Sequence, residues 1–217
     1  MAYGMHWEWR GFGSISSRFA RSFLLLPDFY DTHQITDHYL WIPGMEVNAK
    51  FRKGIESGLK FKRLKQKKGD FEIWLEDEDE LYEFPLEKEA WESLGRLLGG
   101  VDIRIPAYPD LPPDRETTAQ MLQEAGCKIV TMKKQRETRK LEMTEGTVLV
   151  EWTAIMEPQS VNSIGLETWS DQDTDMANGQ ALQLIKQAHA TLDLPQESMQ
   201  PMNYLDAVKQ WAEENKI

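Results

Sequence analysis

The sequence predicts an α+β fold of antiparallel strands interrupted by helices, and three observations predict it. Several segments alternate polar and apolar side chains, the period of a strand. Others repeat apolar residues at helical spacing between capping residues. The composition, 41% hydrophobic and 28% charged over 217 residues, allows a sizeable core and excludes a disordered or fibrous chain.

The elements follow in chain order. His6-Trp7-Glu8-Trp9-Arg10 alternates and reads as a strand. Ser14 to Leu26 is a helical or irregular connection, and Asp37 to Ile42 is a strand closed by Pro43-Gly44. In the next strand Glu46, Asn48, Lys50 and Arg52 point one way while Val47, Ala49 and Phe51 point the other. Leu59 to Lys62 repeats the pattern, with Phe71 to Leu75 and Leu81 to Phe84 as further short strands. Asp77 to Glu80 reads as a solvated hairpin tip between them. Leu86 to Leu98 is helical by its leucine spacing and ends at Gly99-Gly100. Four prolines between Pro106 and Pro113 mark a connection, after which Asp114 caps a helix that Gly126 stops near Ala125.

The second half repeats this order. Lys128 to Leu141 alternates, with Val130, Met132, Lys134, Arg136, Thr138 and Lys140 on one side. Strands are expected at Val148 to Ile155 and Ile164 to Trp169, then a helix from about Asp175 to Pro195 and a last helix from Asn203 to Glu214. The chain therefore reads as a single domain, 1-217, with two loosely similar halves at about 1-105 and 114-217.

Composition also bounds the setting. A single cysteine, Cys127, forms no internal disulfide, and no apolar run reaches the length of a membrane span, so a cytoplasmic protein without membrane association is expected. The net charge of −11 argues against nucleic acid as a partner. That average conceals segregation: nine basic residues and one acid lie between Lys50 and Lys68, and eleven acids and one base between Asp70 and Glu92. Alternation alone puts the charged strand faces in solvent. In a closed barrel the same faces line a wet interior.

The ordered motifs resemble the CYTH superfamily, the triphosphate tunnel metalloenzymes, over most of the chain. His6 to Arg10 falls at the family's ExExK strand. Asp37-His38-Tyr39-Leu40, Asn48 to Arg52 and Leu59 to Lys62 resemble its D-x-Y, L-R-x-R and L-x-x-K progression. Lys133-Lys134-Gln135-Arg136 is similar to its K-x-R strand, Val150-Glu151-Trp152-Thr153 to V-D-x-D, and Gly165-Leu166-Glu167-Thr168 to the strand with E-x-E. The resemblance implies a closed antiparallel eight-stranded β-barrel, a tunnel with helices packed on the outside. It implies hydrolysis of a small triphosphate of the tripolyphosphate or thiamine triphosphate type, with Mg²⁺ or Mn²⁺ as cofactor. The alternative is a non-catalytic phosphate- or nucleotide-binding protein that keeps the tunnel. No residue singles out adenylyl cyclase activity.

Residue by residue, the resemblance makes Arg10, Lys50, Arg52, Lys62, Lys134 and Arg136 the phosphate-binding candidates, with Lys60 and Lys140 second choices. Such cations suit a ligand whose charge must be held and neutralised. Glu8, Glu151 and Glu167 are the metal candidates, since hard divalent cations take carboxylate oxygens. Three acidic pairs of the family are here single acids: His6 stands where the first has its other acid, Thr153 replaces the second acid of the next, and the last keeps only Glu167. That loss weakens a metal site more than it weakens anion binding.

Overall fold

The computed structural model describes residues 4–53, 58–76, 82–98, 103–170, 174–194 and 198–214. Among the described residues, nine strands run as β1 Gly4–Gly13, β2 Asp28–Trp41, β3 Val47–Lys53, β4 Gly58–Lys68, β5 Phe71–Glu76, β6 Lys128–Met143, β7 Gly146–Glu157, β8 Val161–Ser170 and β9 Met199–Pro201. The described residues also form five helices: α1 Ser17–Leu24, α2 Lys88–Leu98, α3 Arg115–Glu124, α4 Asp175–Thr191 and α5 Tyr204–Glu214. The hydrogen-bonded order is β5-β4-β3-β2-β6-β7-β8-β1-β9, and β5 also pairs with β1. That last pairing closes eight antiparallel strands into a barrel, while β9 adds only to the end of β1, at Gly11 to Gly13.

Local chemistry explains the element ends. Asp114 caps α3 by accepting from the Thr117 amide at 2.8 Å, and Gly126 at φ +101 takes the left-handed turn that stops the chain there. Ser16 and Thr174 cap α1 and α4 in the same way. Three sequence expectations change. β2 begins at Asp28, nine residues before the expected strand, and β4 continues to Lys68. Leu81 to Phe84 is no strand where it is described; Tyr82 makes only an isolated bridge to Leu59. The Asp77 to Glu80 tip and the Gly99-Gly100 stop lie outside the described residues.

The chain forms two compact units, Met1–Gln34 with Leu64–Asp77 and Lys133–Asn203, and Ile35–Arg63 with Glu78–Met132 and Tyr204–Ile217. In the first, α1 and α4 pack Phe19, Phe23, Leu184 and Ile185 against Trp7, Trp9, Val150, Ile164 and Leu166 of the strands. In the second, Trp91, Leu94 and Leu98 of α2 and Leu122 of α3 cover Leu40, Ala49, Phe51, Leu59 and Phe61. Helices thus take up the apolar strand faces, burying side chains worth about 1.5–3 kcal/mol each.

Strand alternation then fixes where the charges go. His6, Glu8 and Arg10 lie opposite Trp7 and Trp9, while Asn48, Lys50 and Arg52 lie opposite Ala49 and Phe51. A solvated outer face, the expectation from alternation alone, is not what forms. Lys134 is 2% exposed, Arg10 and Arg52 5%, Lys50 7%, and Glu8 6%. Such groups are buried only where charge partners are built in.

Candidate functional site

The site residues expected from the sequence fall into two polar clusters, one in each unit. In the first unit, strand register sets the geometry. Glu8 of β1 stands directly between Glu72 of β5 and Glu167 of β8. One step along, Arg10 is level with Gly165 of β8, which is level with Glu151 of β7. Three carboxylates in adjacent register repel one another unless cations are interleaved.

Arg10 supplies that cation. Its Nε donates to Glu8 Oε1 at 2.6 Å, its Nη1 to Glu151 Oε1 at 2.8 Å and to Ser163 Oγ at 3.1 Å, and its Nη2 to Glu167 Oε1 at 3.2 Å. Gly165 makes room for it, because a Cβ there would sit 2.5 Å from Arg10 Nη2 and 2.8 Å from Cζ. Arg136 adds a contact to Glu151 Oε2 at 3.4 Å, and the Thr153 hydroxyl donates to Glu151 Oε1 at 2.9 Å. Burial by itself would raise the Glu151 carboxyl. The charges of Arg10, Arg136 and Lys134 outweigh it and hold the group well below the usual carboxylate range.

Glu72 belongs to the same row and was not among the sequence candidates. It accepts from Asn203 Nδ2 at 2.8 Å and Trp74 Nε1 at 3.1 Å, and pairs with Lys67 at 3.0 Å. Its signal was the alternation of Phe71 to Leu75, which sets Glu72 and Trp74 on the charged face. Arg10, Lys67, Asp70, Glu72, Met202 and Asn203 line a narrow cleft. His6 is buried, with Nε2 3.5 Å from Glu8 Oε2 and its ring 5.9 Å from that of Trp169.

The second unit holds the other cluster. Arg52 donates to both oxygens of Asp37, at 2.9 and 3.3 Å, and Lys50 Nζ lies 3.7 Å from Asp37 Oδ2. Lys50 also stands over the Tyr39 ring at 5.4 Å, and Tyr39 stacks on Tyr204 of α5. Register adds two more cations. Lys60 is directly opposite Lys50, and Lys62 is opposite Asn48, so all four cations share one face of the β3–β4 pair. Asp37 too was missed as a site residue, although it heads the Asp37-His38-Tyr39-Leu40 segment. Lys140, a second choice, lies in the first unit over the Phe29 ring at 4.7 Å.

The structure therefore brings Glu8, Glu151 and Glu167 together with Arg10 and Arg136, and separately brings Lys50 and Arg52 together with Lys60 and Lys62. With Arg10 in place, the first cluster is filled by the chain's own cation and not open to a divalent one. All three carboxylates already hydrogen-bond a guanidinium, and no group of three or more acidic, histidine or cysteine residues among those described is arranged to hold a metal.

The chain matches no protein-family model and no curated protein. Solved structures do resemble it. A conserved hypothetical protein from Pyrococcus furiosus superposes with a TM-score of 0.51 at 16% identity, covering 91% of this chain and 98% of its own. The PH1819 protein of Pyrococcus horikoshii OT3 gives 0.53 at 12% identity, covering 94% and 98%. The PH1012 protein of the same organism gives 0.51 at 15%, covering 91% and 97%. At these identities the likeness is one of fold alone. In each unit of this chain the charged strand faces lie opposite the helix-covered ones, which is the arrangement both clusters use. Among the described residues no helix is long and apolar enough to cross a membrane.

Proposed function

We propose that the protein binds a small phosphorylated anion on the cationic β3–β4 face, without a divalent metal and without hydrolysing it. The observation that carries this reading is the register of Lys50, Arg52, Lys60 and Lys62 on one sheet face, where Lys50 and Lys60 are direct cross-strand neighbours. Four cations on one sheet face offer charge-assisted contacts to the several oxygens of a polyanion at once. Each charge-assisted contact contributes about 1.5–3 kcal/mol, so three or four sum to about 4.5–12 kcal/mol, a range that spans the roughly 8 kcal/mol of micromolar binding. A tripolyphosphate or a nucleoside or thiamine triphosphate has the charge and span for this.

The rival reading is metal-dependent hydrolysis of the same ligands with Mg²⁺ or Mn²⁺. It asks Glu8, Glu151 and Glu167 to coordinate a metal, and those carboxylates hold Arg10. Thermal unfolding with tripolyphosphate in a chelating buffer, alongside phosphate release with each metal, separates the two. Binding predicts a higher melting temperature in chelator, no phosphate release, and loss of the shift in Arg52→Ala and Lys60→Ala. Phosphate release above buffer would establish the hydrolase instead.

A further inference from the structure

The carboxylate row of the first unit poses its own question, independent of any phosphate ligand. Glu8 and Glu167 are direct cross-strand neighbours, and Glu151 approaches across Gly165. Such a set of oxygens attracts a cation. The cation it holds belongs to the chain. We propose that Arg10 is a tethered replacement for a divalent metal: its guanidinium fills the carboxylate ring, closes it to metal ions, and leaves a latent metal site that opens when the guanidinium is removed.

Three features converge on this. The guanidinium is bound from three directions, by Glu8, by Glu151 with Ser163, and by Glu167, at 2.6 to 3.2 Å. Its planar fork of five donors matches this spread of acceptors, and it stays protonated at every working pH, so the ring is never vacated by titration. Gly165 is the second feature. Any side chain there would overlap the guanidinium, with a Cβ 2.5 Å from Nη2, so the strand opposite is shaped to this arginine. Charge balance is the third. Glu8, Glu151 and Glu167 carry three negative charges, against three positive on Arg10, Arg136 and Lys134, which act on Glu151 together. A dication added to this set would meet a neutral cluster and a fixed positive charge at its centre. Removing Arg10 leaves a net negative ring of oxygens on three adjacent strands.

The test is a titration with Mn²⁺ followed by electron paramagnetic resonance, with no phosphate present, so that its outcome is separate from that of the β3–β4 reading. Wild type, Arg10→Ala, and Arg10→Ala combined with Glu167→Gln are compared. Arg10→Ala is expected to bind Mn²⁺ at least about tenfold more tightly than wild type, the double variant to lose that gain, and methylguanidinium to compete with the metal in Arg10→Ala. Should Arg10→Ala fold poorly alone, Mn²⁺ or methylguanidinium is expected to restore a cooperative unfolding transition. Wild type binding Mn²⁺ as tightly as Arg10→Ala, a folded Arg10→Ala that ignores the metal, or an unfolded one that neither cation rescues would overturn the proposal.

Discussion

Replacing Gly165 by alanine tests the packing of Arg10 with a single methyl group. The new Cβ would lie 2.5 Å from Nη2, 2.8 Å from Cζ and 3.0 Å from Nη1, so the guanidinium must move. The end of an arginine usually yields cheaply. This one carries contacts from Nη1 to Glu151 and Ser163 and from Nη2 to Glu167, while Nε holds Glu8. Displacing the Nη groups weakens two charge-assisted contacts of about 1.5–3 kcal/mol each in a buried setting. Because the cation is moved and not deleted, about 3 kcal/mol is the expected loss, below the cost of orphaning the carboxylates. For a chain of this length that is roughly 6–12 °C in melting temperature. Gly95 in α2 and Gly179 in α4 serve as controls, since a Cβ at either meets nothing within 4 Å. Alanine there should stabilise by about 0.5–1 kcal/mol, because glycine weakens a helix interior. Urea unfolding of the three variants gives the comparison. A Gly165→Ala protein as stable as wild type would refute the idea that Arg10 is held against that glycine.

Other outcomes follow from the same geometry. Asp37→Asn leaves Arg52 and Lys50 without the buried carboxylate they share, and should cost about 3–5 kcal/mol in urea unfolding; under the binding proposal tripolyphosphate restores part of it, and no loss at all would contradict the pairing. Burial pushes the Cys127 thiol up to about 11, so the folded protein should not react with a thiol reagent at pH 8 until urea is added. Rapid labelling of the native state would contradict its burial. Burial lowers the pKa of His38, helped by Arg115 and opposed by Asp37 and Glu116, and burial lowers that of His189 against Asp70. Below the ordinary value of 6.5 the unfolded chain therefore binds more protons than the folded one. Stability should be complete above that value and fall as the pH drops through and below it, with a shallower fall in His38→Gln. An equal slope in that variant would count against the assignment.

Much of this could be read from the chain because alternation and capping are local. Asp114 three residues before Thr117, and Gly126 after the last turn, fixed α3 within a residue. The alternation of Val47 to Arg52 assigned both faces of β3 correctly, but not which of them water reaches. That depends on closure of the sheet, through a β5–β1 pairing that no single segment encodes. Asp28 to Thr36 hid most of β2, because the sequence there departs from simple alternation of apolar and polar residues. β9 is three residues long and carries no period at all. At the site, the three acids were recognisable by position, whereas their occupant was not. Arg10 was visible as a cation on the first strand. That its arm crosses Gly165 to reach Glu151 is a fact of register between β1 and the β7–β8 pair, which follows β1 by more than a hundred residues in the chain.

The most direct measurement of the functional account is calorimetric titration of tripolyphosphate into the wild-type protein in a chelating buffer, repeated with Mg²⁺ or Mn²⁺ while free phosphate is monitored. Binding of similar strength under all conditions, abolished by Lys50→Ala with Arg52→Ala and accompanied by no phosphate release, is the predicted result. Binding that appears only with metal, together with phosphate release, would contradict it.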